Sequence, residues 1–379
     1  MKISQYKKVT VGSRTFYIGS IHQKKIDNDI HKLIKSRYQK VNKNRNYIID
    51  SLINQITFNS KLPEKYCYTV IKIDIKNFFE SINTHKLYKR IVRSNILNEA
   101  AMEKIKQVVF SKKVKGLPQG VSFSSLLAEV YLEDFDYNLK IAFDELLFYS
   151  RYVDDILLIF NGDHLNQVEN IVDRIELLLK PLNLTLNRDR DEKLEKCLIG
   201  ARNNFKFSYL GYEFSNQMDP KLLTISVAEN KIKKYKVHIE DIFNKFHFSN
   251  RNDSDFYKLY YSLRNLLWVT ITRDFIKDKD LIYGFSYNYK KINSFEAKTE
   301  FNAKLKYHIH RNNYFTRKQK TQLYSLFFKE SIDNKFNYNK ISRKRVLLMM
   351  NQLNITPKYI PDKNPKNIWI GQIFKELYA

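Results

Sequence analysis

The sequence reads as an α+β domain followed by an all-α extension, on three grounds. Apolar runs with strand character occur at YTVIKIDI (68–75) and LFYSRYVDDILLIF (147–160). Amphipathic helical patterns alternate with them, above all from about Ser124 to Glu145. From about residue 224 the pattern turns helical and stays so to the end.

Each element follows in turn. Residues 24–58 read as basic helices, with apolar positions at Ile26, Ile30, Leu33 and Ile34, then at Ile48, Ile49, Leu52 and Ile53. The run 68–75 is a strand, and helical segments continue to about 110. GLPQG (116–120) is a short turn that opens the helix from Ser124. The segment 147–160 reads as two strands meeting at a tight turn. NQVENIVDRIELLLKPL is a helix ended by Pro181, LTLN a short strand, and KCLIG with FKFSYLGYEF a further hairpin. There is no internal repeat and no Pro/Gly/Ser linker.

The composition bounds what such a chain does. Its 379 residues carry 66 Lys and Arg against 40 Asp and Glu, a formal net charge of +26. With 43% hydrophobic residues it can bury a core, which excludes a disordered chain. No apolar run reaches the roughly 18–20 residues that span a bilayer, and the N-terminus lacks the apolar stretch of a signal peptide. Two cysteines, Cys67 and Cys197, make no disulfide framework or Cys-rich metal site, so a cytoplasmic protein without a membrane is expected. The charge asks for a polyanion, and nucleic acid is the first candidate. Part of the lysine excess goes with the many Asn, Ile, Tyr and Phe that A/T-rich codons supply, but the electrostatic field is the same whatever its origin. Glycine is scarce, nine in all, so each one marks backbone that tolerates little else.

Three segments carry chemistry. In IKIDIKNFFES, Asp74 ends an apolar strand; it is either a helix N-cap or a buried carboxylate with a task. In SRYVDDILLIF, Asp154 and Asp155 are either an Asx-type turn or two like charges beside a core, which repel unless a cation joins them. Hard oxygen donors of this kind suit Mg²⁺. Asp74 and Asp154 lie 80 positions apart and can converge only across a sheet. Three carboxylates on adjacent strands are what two-metal phosphoryl transfer requires, with the ions roughly 3.5–4 Å apart. In GLPQGVSFSSLLAEVYL, Gly116 and Gly120 bracket a loop that can approach a nucleotide and present the Gln119 amide, or is simply a helix-entry turn.

In that order and at these spacings, IKIDIKNFFES, GLPQGVSFSSLLAEVYL, SRYVDDILLIF, LKPLNLTLN and FSYLGYEF resemble palm motifs A to E of reverse transcriptases. The resemblance implies a right-hand polymerase fold. Residues 1–67 would be short basic fingers, 68–223 the palm, 224–295 a helical thumb and 296–379 a basic helical extension. It further implies an RNA-directed DNA polymerase using dNTPs and two Mg²⁺ ions, with Asp74, Asp154 and Asp155 as catalytic metal ligands. Phe79 would block a ribose 2′-hydroxyl, Gln119 contact the nucleotide, and Gly120 leave room for it. Tyr152 would pack under the catalytic turn, and Leu210, Gly211 and Tyr212 would form the primer grip. Arg190 or Lys193 is the candidate basic residue of motif D.

The chain also departs from the pattern. Only 73 residues precede Asp74, and the basic motif that clamps the triphosphate is not recognisable; Arg37, Lys43 and Arg45 are its candidates. The tail shows no RNase H carboxylate cluster, no His-Asn nuclease pattern and no Cys-His zinc site. Retron enzymes are similar through the palm, but their NAxxH-type and VTG segments are missing. The segments from FYKLYYSLRNLLWVTITRDFI to ISRKRVLLMMNQLN resemble instead the extensions of defence-associated reverse transcriptases, of the abortive-infection and unknown-group lineages. That resemblance implies antiphage action, a structured non-coding RNA, a DNA product, and a second protein or homo-oligomer as further partners. Retron-type synthesis of cDNA, untemplated or protein-primed synthesis, and an RNA-binding scaffold without catalysis are the alternatives. Residues 296–379 hold 17 Lys and Arg against 6 Asp and Glu. Arg311, Arg317, Lys318 and Lys320 alternate there with Tyr307, Tyr314 and Phe315, and Arg343, Lys344 and Arg345 follow, a mixture suited to RNA or single strands.

Overall fold

In a computed structural model, the residues described are 3–12, 14–38, 44–59, 66–95, 97–111, 114–188, 194–200, 204–216, 223–274, 279–311, 313–329, 334–361 and 364–378. They form two compact units, Met1–Leu210 with Phe214–Leu223, and Gly211–Glu213 with Thr224–Ala379.

The first unit opens with an antiparallel hairpin of β1 (Lys7–Val11) and β2 (Arg14–Ile18), which the sequence pattern does not reveal. Helix α1 (Ile21–Arg37) starts at a capping box, in which Ser20 and Gln23 satisfy each other's backbone N–H groups. Helix α2 (Arg45–Asn59) follows, then strand β3 (Cys67–Asp74) and the helices α3 (Phe78–Ser81), α4 (Thr84–Ser94) and α5 (Glu99–Val109). Helix α6 (Ser124–Ala142) is buried along much of its length. After it come β4 (Leu146–Tyr152), β5 (Asp155–Asn161), α7 (Val168–Leu179), β6 (Glu195–Gly200) and β7 (Lys206–Tyr209).

Four of these strands make one antiparallel sheet in the order β4-β5-β3-β6. Residues Ile156–Phe160 of β5 are fully buried, which is why that strand is continuously apolar rather than alternating. Two local expectations change here. KCLIG does not pair with FKFSYLGYEF as a hairpin: Cys197 lies opposite Val70, so this segment completes the main sheet. LTLN is not a strand but a single bridge, Leu186 to Ile75. Both cysteines are free and half-buried.

The residues of β8 (Tyr212–Ser215) divide between the two units. The second unit continues with β9 (Thr224–Val227) and the helices α8 (Glu229–His247) and α9 (Asp253–Leu267). Strands β10 (Val269–Asp274) and β11 (Lys279–Tyr283) precede α10 (Phe285–Asn288), α11 (Glu296–Arg311) and α12 (Arg317–Tyr324). Strand β12 (Lys335–Asn337), α13 (Arg343–Gln352) and α14 (Pro365–Leu377) close the chain. The α+β class stands, but the all-α expectation for this half is corrected. Strands β11, β10 and β12 form a three-stranded sheet in which β12 lies parallel to β10. The β-branched run VTIT in β10 outweighs the helical pattern around it.

Candidate active site

Strand register brings the acids together. Asp74 is the last residue of β3 and Asp155 the first of β5, and the two are direct cross-strand partners. Beyond them the Ile75 N–H donates to the Asp154 carbonyl at 3.1 Å. Asp74 is buried, at 7% exposure, whereas Asp154 and Asp155 are half-buried. The N-cap reading of Asp74 fails, because the residue that precedes α3 is Asn77. Between β4 and β5 runs a two-residue turn, Val153-Asp154, with Tyr152 opposite Asp155. Val153 has φ +63°, a conformation in which a β-branched side chain is strained.

Carboxylates opposed in this way are the hard oxygen donors that Mg²⁺ takes, and like charges so close favour a cation between them. Among the described residues no three His, Cys, Asp or Glu side chains already close into a metal cage. The donor chemistry fits the ion, and the strand register sets Asp74 beside Asp155.

The loop before α6 is tied to two distant segments. The Leu117 N–H donates to the Phe79 carbonyl at 2.8 Å, and Gly116 (φ +66°) lies so close that a Cβ there would stand 2.1 Å from the same oxygen. On the other side the Tyr17 N–H of β2 donates to the Gln119 carbonyl at 2.8 Å. At Gly120 (φ +91°) a Cβ would meet the Tyr17 carbonyl at 2.9 Å. The side of Gly120 where a Cβ would stand is therefore occupied by the β2 backbone, while the residue itself stays exposed. Tyr17 is the participant that the sequence pattern missed, since nothing in a short polar hairpin marks its partner a hundred residues on. The Phe79 side chain is half-buried, edge-on to the buried Phe78 at 5.6 Å between centroids.

Other candidates divide. Tyr152 is 39% exposed and not packed beneath the turn. Tyr209 is packed there instead, with its hydroxyl 3.3 Å from Ser150 Oγ and 3.4 Å from the Asp155 carbonyl. Leu210 (φ +49°) and Gly211 (φ +81°) form a left-handed turn, but Tyr212 is fully buried and its hydroxyl donates to the Asn288 carbonyl at 2.9 Å. Arg45 donates from Nε (3.1 Å) and Nη2 (2.6 Å) to the Leu210 carbonyl, so it braces that turn. Arg37 is exposed on the last turn of α1. Lys43, Arg190 and Lys193 lie outside the described residues. In the second unit Arg317 and Lys318 occupy the first turn of α12, and Arg343, Lys344 and Arg345 that of α13, all exposed. Tyr307 is 49% exposed and Tyr314 similarly open, with the Arg251 guanidinium 4.2 Å above the Tyr314 ring. Phe315 is a core residue stacked on Phe246, which removes it from the candidate surface.

Residues 7–214, more than half of the chain, match the family model "Reverse transcriptase (RNA-dependent DNA polymerase)". The chain belongs to the reverse transcriptase family. Two similar curated proteins are the retron Ec83 and retron Ec86 reverse transcriptases of Escherichia coli. The first is 24% identical over 163 residues, covering 41% of this chain and 51% of the relative; the second is 23% identical over 191 residues, covering 50% and 54%. The chain thus spans about half the length of the curated relatives it matches. Among solved structures, telomerase from Candida tropicalis in complex with a TWJ fragment of telomeric RNA aligns over 98% of this chain and 64% of its own, at 13% identity and a TM-score of 0.45. Telomerase from Candida albicans aligns over 94% and 54%, at 13% identity and 0.39. Among the described residues no helix is long and apolar enough to cross a membrane.

Proposed function

We propose that this reverse transcriptase family member extends a primer with dNTPs on an RNA template, at the site built from Asp74, Asp154 and Asp155. The observation that carries the reading is the register of β3 on β5, which opposes Asp74 to Asp155 with Asp154 in the adjoining turn. Two Mg²⁺ ions held by these carboxylates would supply charge neutralisation and activation of the primer 3′-hydroxyl. The chain's own residues do the positioning. Phe79, half-buried beside Phe78, fits a wall against a 2′-hydroxyl, and the pinned loop at Gln119 fits a nucleotide contact. Leu210 and Gly211 fit the primer turn. Residues 1–67, 68–223, 224–295 and 296–379 serve in this reading as fingers, palm, thumb and basic extension.

The partner is a structured RNA. Five cations stand in the first turns of α12 and α13, where each opposes the helix macrodipole at a cost of about 0.3–1 kcal/mol. A polyanion bound there reverses that cost. The similarity to two retron enzymes favours cDNA synthesis on the chain's own associated RNA as the specific form of the activity. The resemblance of the tail to defence-associated enzymes supports antiphage action with a DNA product.

The test is synthesis by the purified protein with Mg²⁺, four dNTPs and its co-purifying RNA. Labelled DNA that disappears in Asp154→Asn and in Asp155→Asn is expected. If no DNA forms while an Asp154→Ala, Asp155→Ala double variant still protects cells from phage, the chain is an RNA-binding scaffold instead. Sequencing the product separates copied RNA from untemplated DNA.

A further inference from the structure

We infer that Arg151 is a positioning residue of the catalytic turn, holding Asp154 and Asp155 in place through the Val153 carbonyl; this rests on the polymerase reading of that site. The turn needs an anchor. Two-residue hairpin turns favour Asn-Gly or Asp-Gly where both central residues take positive φ, and Gly at the first where only that one does. Here the first central residue is Val153 at +63°, a strain of roughly 1–3 kcal/mol that persists only where the surroundings over-determine it.

Arg151 supplies that constraint. Its Nη1 donates to the Val153 carbonyl at 2.8 Å. Its Nε and Nη2 take both oxygens of Asp136, each at 2.8 Å, and Nη2 also reaches Glu129 Oε2 at 2.6 Å. Four of the five guanidinium donors are thereby placed. Glu129 and Asp136 stand seven residues apart on α6, hence on one face, and Tyr149 also donates to Asp136. The Arg151 side chain is 4% exposed. Burial opposes its charge, yet Asp136 and Glu129 prevail and raise its pKa well above the usual arginine range. Burial raises the Glu129 pKa, against the pull of Arg151. The turn is thus tied by a planar fork to the helix at the centre of the core. A lysine, with one nitrogen, cannot reach three acceptors in a plane. Arg151 touches neither catalytic aspartate by any of these bonds, so it acts through the turn.

A purely structural ion cluster behaves differently, because replacing a buried ion triad by uncharged groups is often neutral or stabilising. The experiment compares Arg151→Lys with the triple variant Arg151→Met, Glu129→Gln, Asp136→Asn, which leaves no buried charge unmatched. Both are made in wild-type and Val153→Gly backgrounds. Single-nucleotide addition to a primed RNA and Mn²⁺ titration by electron paramagnetic resonance are read on folded protein. A turn displaced by about 1 Å predicts a roughly 100-fold fall in kcat with dNTP KM within about threefold. The Mn²⁺ midpoint rises as well. In the Val153→Gly background, where the left-handed turn is no longer strained, the same substitutions cost at most about tenfold. A folded triple variant with wild-type kcat and Mn²⁺ midpoint overturns the inference, as does an equal loss in both backgrounds. If wild-type protein adds no nucleotide, the polymerase reading falls, while the Mn²⁺ midpoints still decide on Arg151.

Discussion

Val153 sits where a β-branched residue is strained, Gly116 where any side chain collides, and both adjoin residues singled out by motif spacing. Asp74, Asp154 and Asp155 stand out as candidates in the sequence because carboxylates beside apolar strands are costly without a task. Their alignment does not, since a register is a property of two strands. Phe79 carries a dual role: its carbonyl anchors the Gly116–Leu117 loop, and its half-buried ring is the proposed sugar gate. Phe79→Ala leaves that carbonyl in place, so the loop should persist while the gate opens. Ribonucleotide incorporation is then expected to rise at least tenfold relative to dNTP, about 1.4 kcal/mol of discrimination. Competition between labelled rNTP and dNTP checks this, and an unchanged ratio removes Phe79 from the gate.

Elements fared according to how much of their pattern was local. Helix α6 and strands β3 and β5 were readable from period and apolar runs, because each buries a face large enough to print on the sequence. Strands β10, β11 and β12 were not, being three to six residues long among helices. Helices α8 and α11 hold one buried titratable ring against an apolar one: His308 stacks on Phe243 with centroids 4.4 Å apart, and its Nε2 lies 3.3 Å from Glu240. Burial lowers the His308 pKa below 6.5; Glu240 pulls the other way, and Lys304 and Arg311 add to the lowering. Between the lowered native value and 6.5 the unfolded chain binds more proton, so stability rises with pH in that window and is lost as pH falls. The contribution is complete above about pH 6.5, with a slope below about 1.4 kcal/mol per pH unit for one proton. Urea unfolding of the second unit should therefore give a lower midpoint at pH 5.5 than at 7.5, and His308→Phe, which keeps the stack, should flatten the difference. An unaltered slope would assign it to other groups.

Across the chain as a whole, the excess of +26 is concentrated enough to test. Changing Arg343, Lys344 and Arg345 to Gln takes away up to three charges that can neutralise phosphates. The slope of log K against log salt for the co-purifying RNA should flatten by about 0.7–0.9 for each phosphate left unneutralised. Filter binding from 50 to 300 mM salt measures it, and a slope that does not change leaves the three residues as a solvated face. The basic character of the N-terminal helices was equally legible, yet Arg45 turned out to brace the Leu210 carbonyl. Charge is countable along a chain; what a charged group touches depends on which turn the fold brings within reach. The polymerase motifs, the three aspartates and the excess of basic charge could all be read along the chain, because residue chemistry and short-range periodicity are written locally. It took the folded chain to reveal that Asp74 faces Asp155, that the Tyr17 backbone stands where a Gly120 Cβ would, that Tyr212 is core, and that Arg151 clamps the turn. Those are meetings of residues distant in sequence, or faces chosen by packing, and no local pattern encodes which partner a side chain finds.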